Sequence, residues 1–351
     1  MLFLSNQEHS KNSINYGIYN CFFFGSKPYD EASFNDKNKE YGFELRYYKG
    51  HLNKHNVILT QGVDAVCIFV NDTADAEVLR MMADNGVKLL ALRCAGYNNV
   101  DLKAAAECGI TVVRVPAYSP YAVAEYTVAL MLSLNRKIPR ATWRTRDGNF
   151  SLHGLLGFDM YGKTAGIIGT GKIAKKLIMI LRGFGMNILA YDLYPDYNFA
   201  REHQVVYTTL DELYHSSDII SLHCPLTEQT KYLINDYSIS KMKDGVMIIN
   251  TGRGQLIHTN ALIEGLKNKK IGSAGLDVYE EESEYFYEDQ SDRIIDDDVL
   301  ARLLTFNNVI VTSHQAFFTR EALENIATTT LQNIKDFKSG KVSENEVKIQ
   351  N

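Results

Sequence analysis

Three polar side chains, Arg253, Glu282 and His314, each follow a separate apolar segment that has the length and composition of a strand. The guanidinium fork of an arginine matches a carboxylate with two hydrogen bonds. A histidine of near-neutral pKa can give or take an alcohol proton, and a nearby carboxylate favours its charged form. This set suits a 2-oxo acid, so we predict that Arg253 anchors and polarises the substrate, His314 transfers the proton and Glu282 supports His314.

A second motif, GTGKIA at residues 169–174, matches the pattern G-x-G-x-x-G/A between an apolar strand and a helix. Gly169 makes the tight turn, and Gly171 lets a pyrophosphate approach the backbone because it has no Cβ. The N–H groups near Lys172 and Ile173 open the helix and are expected to bind phosphate with help from the helix dipole. The motif therefore predicts a dinucleotide site.

Asp192 ends the next predicted strand, and 192 − 169 places it 23 residues beyond the first glycine. This is close to the spacing of about 20 residues for the acid that binds a ribose 2′-hydroxyl. Its charge would repel a 2′-phosphate, and Leu193 and Tyr194 offer no cation to accept one. We therefore predict NAD rather than NADP. The motif alone leaves two alternatives open: Asp192 only caps a turn, or the protein is a methyltransferase.

Short apolar segments alternate with helical patterns along the whole chain, which is typical of parallel sheets covered by helices on both faces. The segments form two series, separated by a long helical pattern. The first series comprises residues 16–24, 43–48, 64–70, 87–92 and 110–115. The second comprises residues 164–169, 187–192, 218–223, 246–250, 271–276 and 309–312.

The helical pattern between the two series, Pro120 to Arg136, is apolar nearly all round. A helix of that kind is buried on all sides. A core helix and a subunit contact both fit this pattern. We expect a homo-oligomer, a dimer or a tetramer, associated through the Pro120–Leu134 helix.

Composition narrows the class of protein further. The chain has 351 residues, 45% of them hydrophobic, and a formal net charge of −5, which gives no footprint for nucleic acid or an acidic membrane. The five cysteines form no CxxC or Cys/His cluster, so we predict reduced thiols and no metal. No apolar run reaches the roughly 18–20 residues of a membrane span, and the N-terminus does not look like a secretory signal. We expect a cytoplasmic protein in which roughly the first fourteen residues are an extension.

Several longer motifs occur together along the chain, and through them the sequence resembles the D-isomer-specific 2-hydroxyacid dehydrogenases. Within this family it is most similar to the fermentative D-lactate dehydrogenases. The similarity extends from about Tyr16 to about Glu346. The motifs are LRCAGYNNVD (92–101), VPAYSP (115–120), YGKT (161–164), LHCPLT (222–227), NTGRG (250–254), LDVYE (276–280) and HQAF (314–317).

The resemblance assigns the same roles to Arg253 and His314, and the family's spacing selects Glu282 from the acidic run as the partner of His314. It implies that the substrate meets the backbone N–H groups of Ala95 and Gly96 and the side chain of Tyr118. The cofactor contacts that it implies are Lys172, Ile173, Asp192, Cys224, Pro225, Thr230, Thr251, Gly252 and Asp277. Three positions depart from the family pattern: Ala174, Tyr126 and Thr230.

The resemblance also implies a layout and an activity. The fold would be α/β, with two Rossmann-like or flavodoxin-like domains and the active site in the cleft between them. A discontinuous substrate domain would comprise residues 1–117 and 316–351, and the NAD domain residues 118–315. The implied reaction is the reduction of pyruvate to D-lactate with NADH. The alternatives are another 2-oxo acid (glyoxylate, hydroxypyruvate, a phosphoglycerate-type or bulkier substrate) or a non-catalytic, NAD-sensing interaction protein.

Overall fold

The computed structural model describes residues 19–281 and 285–348. Over these residues the chain divides into two compact units, unit 1 (19–118 and 323–348) and unit 2 (119–281 and 285–322). Residues 316–322, expected in the substrate domain, group with unit 2 here, and Tyr118, expected in the NAD domain, groups with unit 1. The expected N-terminal extension lies outside the described residues.

Unit 1 is built on a parallel five-stranded sheet. Its strands are β1 (Asn20–Phe23), β2 (Glu44–Tyr47), β3 (Ala65–Ile68), β4 (Leu89–Leu92) and β5 (Thr111–Val113). Their order in the sheet is β2-β1-β3-β4-β5. The helices between them are α1 (Pro28–Asn38), α2 (Ala76–Asp84) and α3 (Leu102–Glu107), with a 3₁₀ turn at Val57–Thr60.

Local sequence accounts for where these helices begin. The side chain of Asp75 accepts a hydrogen bond from Val78 N at 2.9 Å at the start of α2. Asp101 does the same for Ala104 N, at 3.0 Å, at the start of α3. A carboxylate in this position satisfies an N–H group that has no partner within the helix. Strands β3 and β4 are fully buried at the centre of the sheet, in keeping with their unbroken apolar sequence.

Unit 2 contains a parallel seven-stranded sheet. Its strands are β6 (Thr164–Ile168), β7 (Asn187–Tyr191), β8 (Val205–Tyr207), β9 (Ile219–Leu222), β10 (Val246–Asn250), β11 (Ile271–Leu276) and β12 (Val309–Val311). The helices are α4 (Pro120–Arg136), α5 (Ile138–Arg146), α6 (Lys172–Gly183), α7 (Tyr197–His203), α8 (Leu210–Ser216), α9 (Asp236–Lys241), α10 (Thr259–Lys267) and α11 (Asp298–Leu304). The last helix, α12 (Arg320–Lys338), begins in unit 2 and continues into unit 1.

The strand order in unit 2 is β12-β11-β10-β9-β6-β7-β8. The chain order reverses between β6 and β9, so these neighbours form the topological switch point. In open α/β sheets, ligands bind outside the carboxyl ends of the strands at such a point. The segments that follow β6 and β9 are therefore the first place to look for a ligand site.

The long helix α4 belongs to the core of unit 2. Ser119 caps its N-terminus by accepting from Ala122 N at 3.2 Å. Its apolar side chains pack against α6 and strands β10 to β12, and Ala124 and Met131 are fully buried. The core of its own unit therefore accounts for the apolar pattern of this helix.

The two parallel α/β sheets confirm the predicted fold class. No helix among the described residues is long and apolar enough to cross a membrane. Within the same residues, no group of three or more His, Cys, Asp or Glu side chains could hold a metal ion.

Candidate active site

The turn between β6 and α6 needs its glycines for different reasons. Gly169 has a φ of +88°, and a Cβ there would lie 2.5 Å from the backbone nitrogen of Cys224, two residues beyond the end of β9. Gly171 has ordinary extended geometry, and a Cβ there would meet nothing within 4 Å. The first turn of α6, from Lys172, has no capping side chain. This turn therefore fits the pyrophosphate of a dinucleotide, with open space in front of the N–H groups.

Asp192 follows β7 and is held beside this turn. Its Oδ2 accepts hydrogen bonds from Thr170 N at 2.5 Å and Thr170 Oγ1 at 2.8 Å, and its Oδ1 accepts from Tyr194 N at 2.8 Å. Burial raises the pKa of this carboxyl, but the hydrogen bonds from Tyr194 and Thr170 outweigh it and leave the pKa below its usual value. Asp192 is thus a fixed, charged acceptor suited to ribose hydroxyls.

Tyr207, which the sequence did not single out, supports Asp192 through the hydroxyl of Thr170. The hydroxyl of Tyr207 donates to Thr170 Oγ1 at 2.9 Å and accepts from Asp196 N at 3.1 Å. The Asp196 carboxylate in turn pairs with Lys175 at 2.5 Å. This pair occupies the Lys175 ammonium, a cation on the first helix of the site. The sequence shows no sign of Tyr207 because it lies on β8, a strand of only three residues that is too short to show an apolar pattern.

The segment after β9 contributes His223, Cys224 and the loop to Thr230. Burial lowers the pKa of His223 to about 4, and Ser221 Oγ lies 2.8 Å from its Nε2. Burial raises the pKa of the Cys224 thiol to about 11, so this group is protonated at neutral pH and is a poor nucleophile. Thr230 Oγ1 donates to the Pro225 carbonyl at 2.7 Å and so braces the loop.

Arg253 lies on a rigid loop after β10. The amide of Asn250 accepts from Gly252 N at 3.0 Å and donates to the Arg253 carbonyl at 2.8 Å. A Cβ at Gly254 would meet the Tyr279 carbonyl oxygen at 1.9 Å, so only glycine fits there. On the same loop, Thr251 Oγ1 lies 3.0 Å from Thr127 Oγ1 of α4. These side-chain bonds fix the backbone that carries Arg253, and the guanidinium itself donates to the Gly252 carbonyl at 2.8 Å.

His314 follows β12 and is held by Asp277, which follows β11 and is fully buried. The Asp277 carbonyl accepts from His314 N at 2.7 Å. Its carboxylate accepts from Thr312 Oγ1 at 2.6 Å, Gln315 N at 2.9 Å and Ala316 N at 2.8 Å. Burial raises the pKa of Asp277, although these hydrogen bonds oppose the change. His314 itself has a φ of +54°, which is rare for a residue with a side chain.

The acidic run after Asp277 has a structural member. Glu280 accepts from Thr259 N at 3.1 Å and Thr259 Oγ1 at 2.7 Å, and from the hydroxyl of Tyr232. These bonds tie Glu280 to the start of α10 and leave it no role as a proton-transfer partner. Glu282 lies outside the described residues, so its pairing with His314 stays a prediction.

The predicted substrate residues of unit 1 follow β4 and β5. The carbonyl of Ala95 accepts from Arg114 Nη1 at 2.9 Å, and that of Gly96 accepts from Cys94 Sγ at 3.2 Å. The carbonyl of Tyr118 accepts from Asn325 Nδ2 of α12 at 2.6 Å. The backbone of all three residues is therefore fixed within unit 1.

In unit 2, the structure brings the glycine turn, Asp192, Arg253 and His314 to one edge of one sheet. Comparison with known proteins shows what this arrangement is similar to. Residues 128–316 match the family model described as "D-isomer specific 2-hydroxyacid dehydrogenase, NAD binding domain". The D-lactate dehydrogenase of Escherichia coli K12 is 52% identical over 324 residues, which are 92% of this chain and 98% of that protein. The chain belongs to the D-isomer-specific 2-hydroxyacid dehydrogenase family.

Solved structures of other proteins agree with this family membership. The apo structure of the E. coli D-lactate dehydrogenase has a TM-score of 0.87 and 50% identity, and covers 94% of this chain and 100% of its own. A structure described as the pyruvate reductase of Chlamydomonas reinhardtii has a TM-score of 0.89 and 43% identity, and covers 93% and 98%. Family membership confirms an NAD-dependent oxidoreductase and removes the methyltransferase alternative.

Proposed function

We propose that this dehydrogenase reduces pyruvate to D-lactate with NADH. The observation that carries the proposal is the placement of His314, which Asp277 holds at the same sheet edge as Arg253 and the glycine turn. The similarity to the E. coli D-lactate dehydrogenase over nearly the full length of both chains supports the choice of substrate.

The mechanism divides the work among fixed groups. NADH bound along the glycine turn would supply the hydride that is added to carbon 2 of the 2-oxo acid. Arg253 binds the substrate carboxylate and polarises the ketone. His314 donates a proton to the ketone oxygen as this becomes a hydroxyl. Pyruvate, NADH and one proton thus give lactate and NAD⁺.

The remaining predicted residues complete this proposal. Glu282 stabilises the imidazolium form of His314, and the N–H groups of Ala95 and Gly96, with Tyr118, bind the substrate. The glycine turn, Asp192 and the loops after β9, β10 and β11 bind the cofactor. The cofactor residues are Gly169, Gly171, Lys172, Ile173, Asp192, Cys224, Pro225, Thr230, Thr251, Gly252 and Asp277.

A panel of 2-oxo acids, each assayed with NADH and with NADPH, tests the proposal. We expect pyruvate with NADH to give the highest kcat/KM. A preference for hydroxypyruvate, a phosphorylated 2-oxo acid or a bulky 2-oxo acid would overturn it. His314→Ala should lower kcat by about 10³-fold and leave the NADH Kd unchanged, because general acid catalysis supplies about 10²–10⁴. His215→Ala, an exposed histidine of α8, is the matched control and should retain full activity.

We also propose a homo-oligomer in the cytoplasm. The Pro120–Leu134 helix was predicted to form the subunit contact, but most of its apolar side chains are buried inside unit 2. The segment that follows it exposes several large apolar side chains, which supports association there. These are Ile138, Trp143, Phe150, Leu152, Leu156 and Tyr161. All five cysteines are free thiols, which suits a reducing compartment, and cell fractionation would test the location.

A further inference from the structure

The acidic insertion between β11 and α11 has no role in the proposed reaction apart from Glu282. Hydrogen bonds within its described part hold the two ends of the insertion together. The hydroxyl of Tyr279 donates to Asp297 Oδ2 at 2.6 Å, and Asp297 N donates to the hydroxyl of Tyr285 at 3.1 Å. Phe286 is buried against the core of the unit. The insertion is therefore a packed element rather than a solvated acidic run.

One side chain of this insertion reaches the proposed proton donor. The hydroxyl of Tyr287 donates to the backbone carbonyl of His314 at 3.0 Å. The tyrosine ring also lies along the imidazole, with a distance of 5.8 Å between ring centroids and an angle of 31° between ring planes. Tyr287 thus contacts both the backbone and the ring of His314.

The backbone of both residues makes this contact informative. Tyr287 has a φ of +70° and His314 a φ of +54°, and residues with side chains persist there only where their surroundings hold them. Asp277 holds the N–H of His314 and the two residues that follow it. Tyr287 donates to the carbonyl of His314. Asp277 and Tyr287 therefore hydrogen-bond the same residue, one at its N–H and the other at its carbonyl.

The direction of a side chain follows from the backbone that carries it. If the His314 peptide relaxed to a negative φ, its Cβ and imidazole would point elsewhere and proton transfer to the substrate oxygen would lose its geometry. Resting on the proposed function, we propose that Tyr287 is a positioning residue that fixes the imidazole of His314 for proton transfer. The insertion is then the element that brings this tyrosine into place.

Tyr287→Phe tests the inference because it removes the hydroxyl and keeps the ring. With pyruvate and NADH, kcat should fall roughly three- to tenfold, the effect of one neutral hydrogen bond. The NADH Kd should stay unchanged, since the cofactor residues are intact. Because the chemical step becomes slower, the primary isotope effect on kcat should rise when NADH carries deuterium at the transferred position. Tyr287→Leu, which also removes the ring, should lose more activity than Tyr287→Phe.

Tyr285→Phe is the matched control, because it removes a hydroxyl from the same insertion that hydrogen-bonds Asp297 and not His314. It should leave kcat and the isotope effect unchanged. An unchanged kcat in Tyr287→Phe, or a lower kcat with an unchanged isotope effect, would overturn the positioning role. If the wild-type protein does not oxidise NADH with pyruvate, the proposed function fails, and the inference fails with it. Wild-type turnover with an unaffected Tyr287→Phe contradicts the inference alone.

Discussion

We propose that the choice of cofactor depends on one residue, Asp192. Hydrogen bonds from Thr170 and Tyr194 keep its pKa below the usual value, so it is charged at neutral pH. A fixed negative charge attracts ribose hydroxyls as donors and repels a 2′-phosphate. The nearby cation Lys175 is already paired with Asp196 and is not available to compensate.

We therefore predict that Asp192→Asn, which keeps the shape and removes the charge, lowers the preference for NADH over NADPH by about tenfold. Fluorescence titration of each dinucleotide measures the two Kd values. Glu202→Gln, which removes an exposed charge from the same unit, is the control and should leave their ratio unchanged. A ratio unaffected by Asp192→Asn would show that this charge does not select the cofactor.

Among single residues, the sequence identifies those site residues that directly follow a predicted strand. Arg253, Asp192 and His314 follow apolar strands, and parallel strands end at a common edge. Tyr207 and Tyr287 could not be found in this way, since their contacts depend on how distant loops pack. Thr170 lies in the glycine motif, but its contact with Asp192 depends on the same packing. The role of Glu280 was hidden for the same reason: only the folded chain brings it to Thr259.

At the scale of secondary structure, the two glycines of the turn between β6 and α6 are expected to have different roles: Gly169 in folding and Gly171 in cofactor binding. Gly169→Ala puts a Cβ against the backbone of Cys224 at a φ of +88°. Gly171→Ala puts a Cβ into open space where the pyrophosphate is expected to approach. The same added methyl group should therefore have different effects at these two positions.

We predict that Gly169→Ala lowers the free energy of unfolding by about 2 kcal/mol or more, through backbone strain and overpacking. Gly171→Ala should leave that free energy within about 0.5 kcal/mol of wild type and raise the NADH Kd at least about tenfold. Denaturant unfolding and NADH titration distinguish the two. Unimpaired NADH binding by Gly171→Ala would contradict the location of the cofactor.

Long, strongly patterned elements were the ones that could be predicted. Helix α4 and strands β10 and β11 have the bounds that the sequence gives them. Strand β8 and helices α1, α5, α7, α9 and α11 were missed; α1 buries only Asp30 and Phe34, so its sequence shows no apolar face. The other missed elements are short, and α5 has no buried residue whose spacing could mark it.

At the scale of the whole molecule, residues from both ends of the chain form unit 1. Periodicity alone gives two series of strands. Only the resemblance to the family implied that the C-terminal helix returns to the first unit. The sequence of an amphipathic helix does not indicate which domain its apolar face packs against. In the structure, Asn333 of α12 donates to the Arg114 carbonyl at 3.0 Å, which ties that helix to unit 1.

The exposed apolar series from Ile138 to Tyr161 makes a prediction about assembly. Light scattering at micromolar concentration should give at least twice the mass of one chain, 39.7 kDa. Trp143→Glu, on the exposed face of α5, should weaken the assembly because it buries a charge in an apolar contact. Trp143→Phe is the conservative control. A wild-type monomer would contradict the proposed oligomer.

In the proposed function, Arg253 and His314 act together in the D-specific reduction of a small 2-oxo acid. Chiral chromatography of the product from pyruvate and NADH tests it most directly. We expect D-lactate to form in an amount equal to the NADH consumed. Formation of L-lactate, or no lactate at all from folded protein that binds NADH, would contradict it.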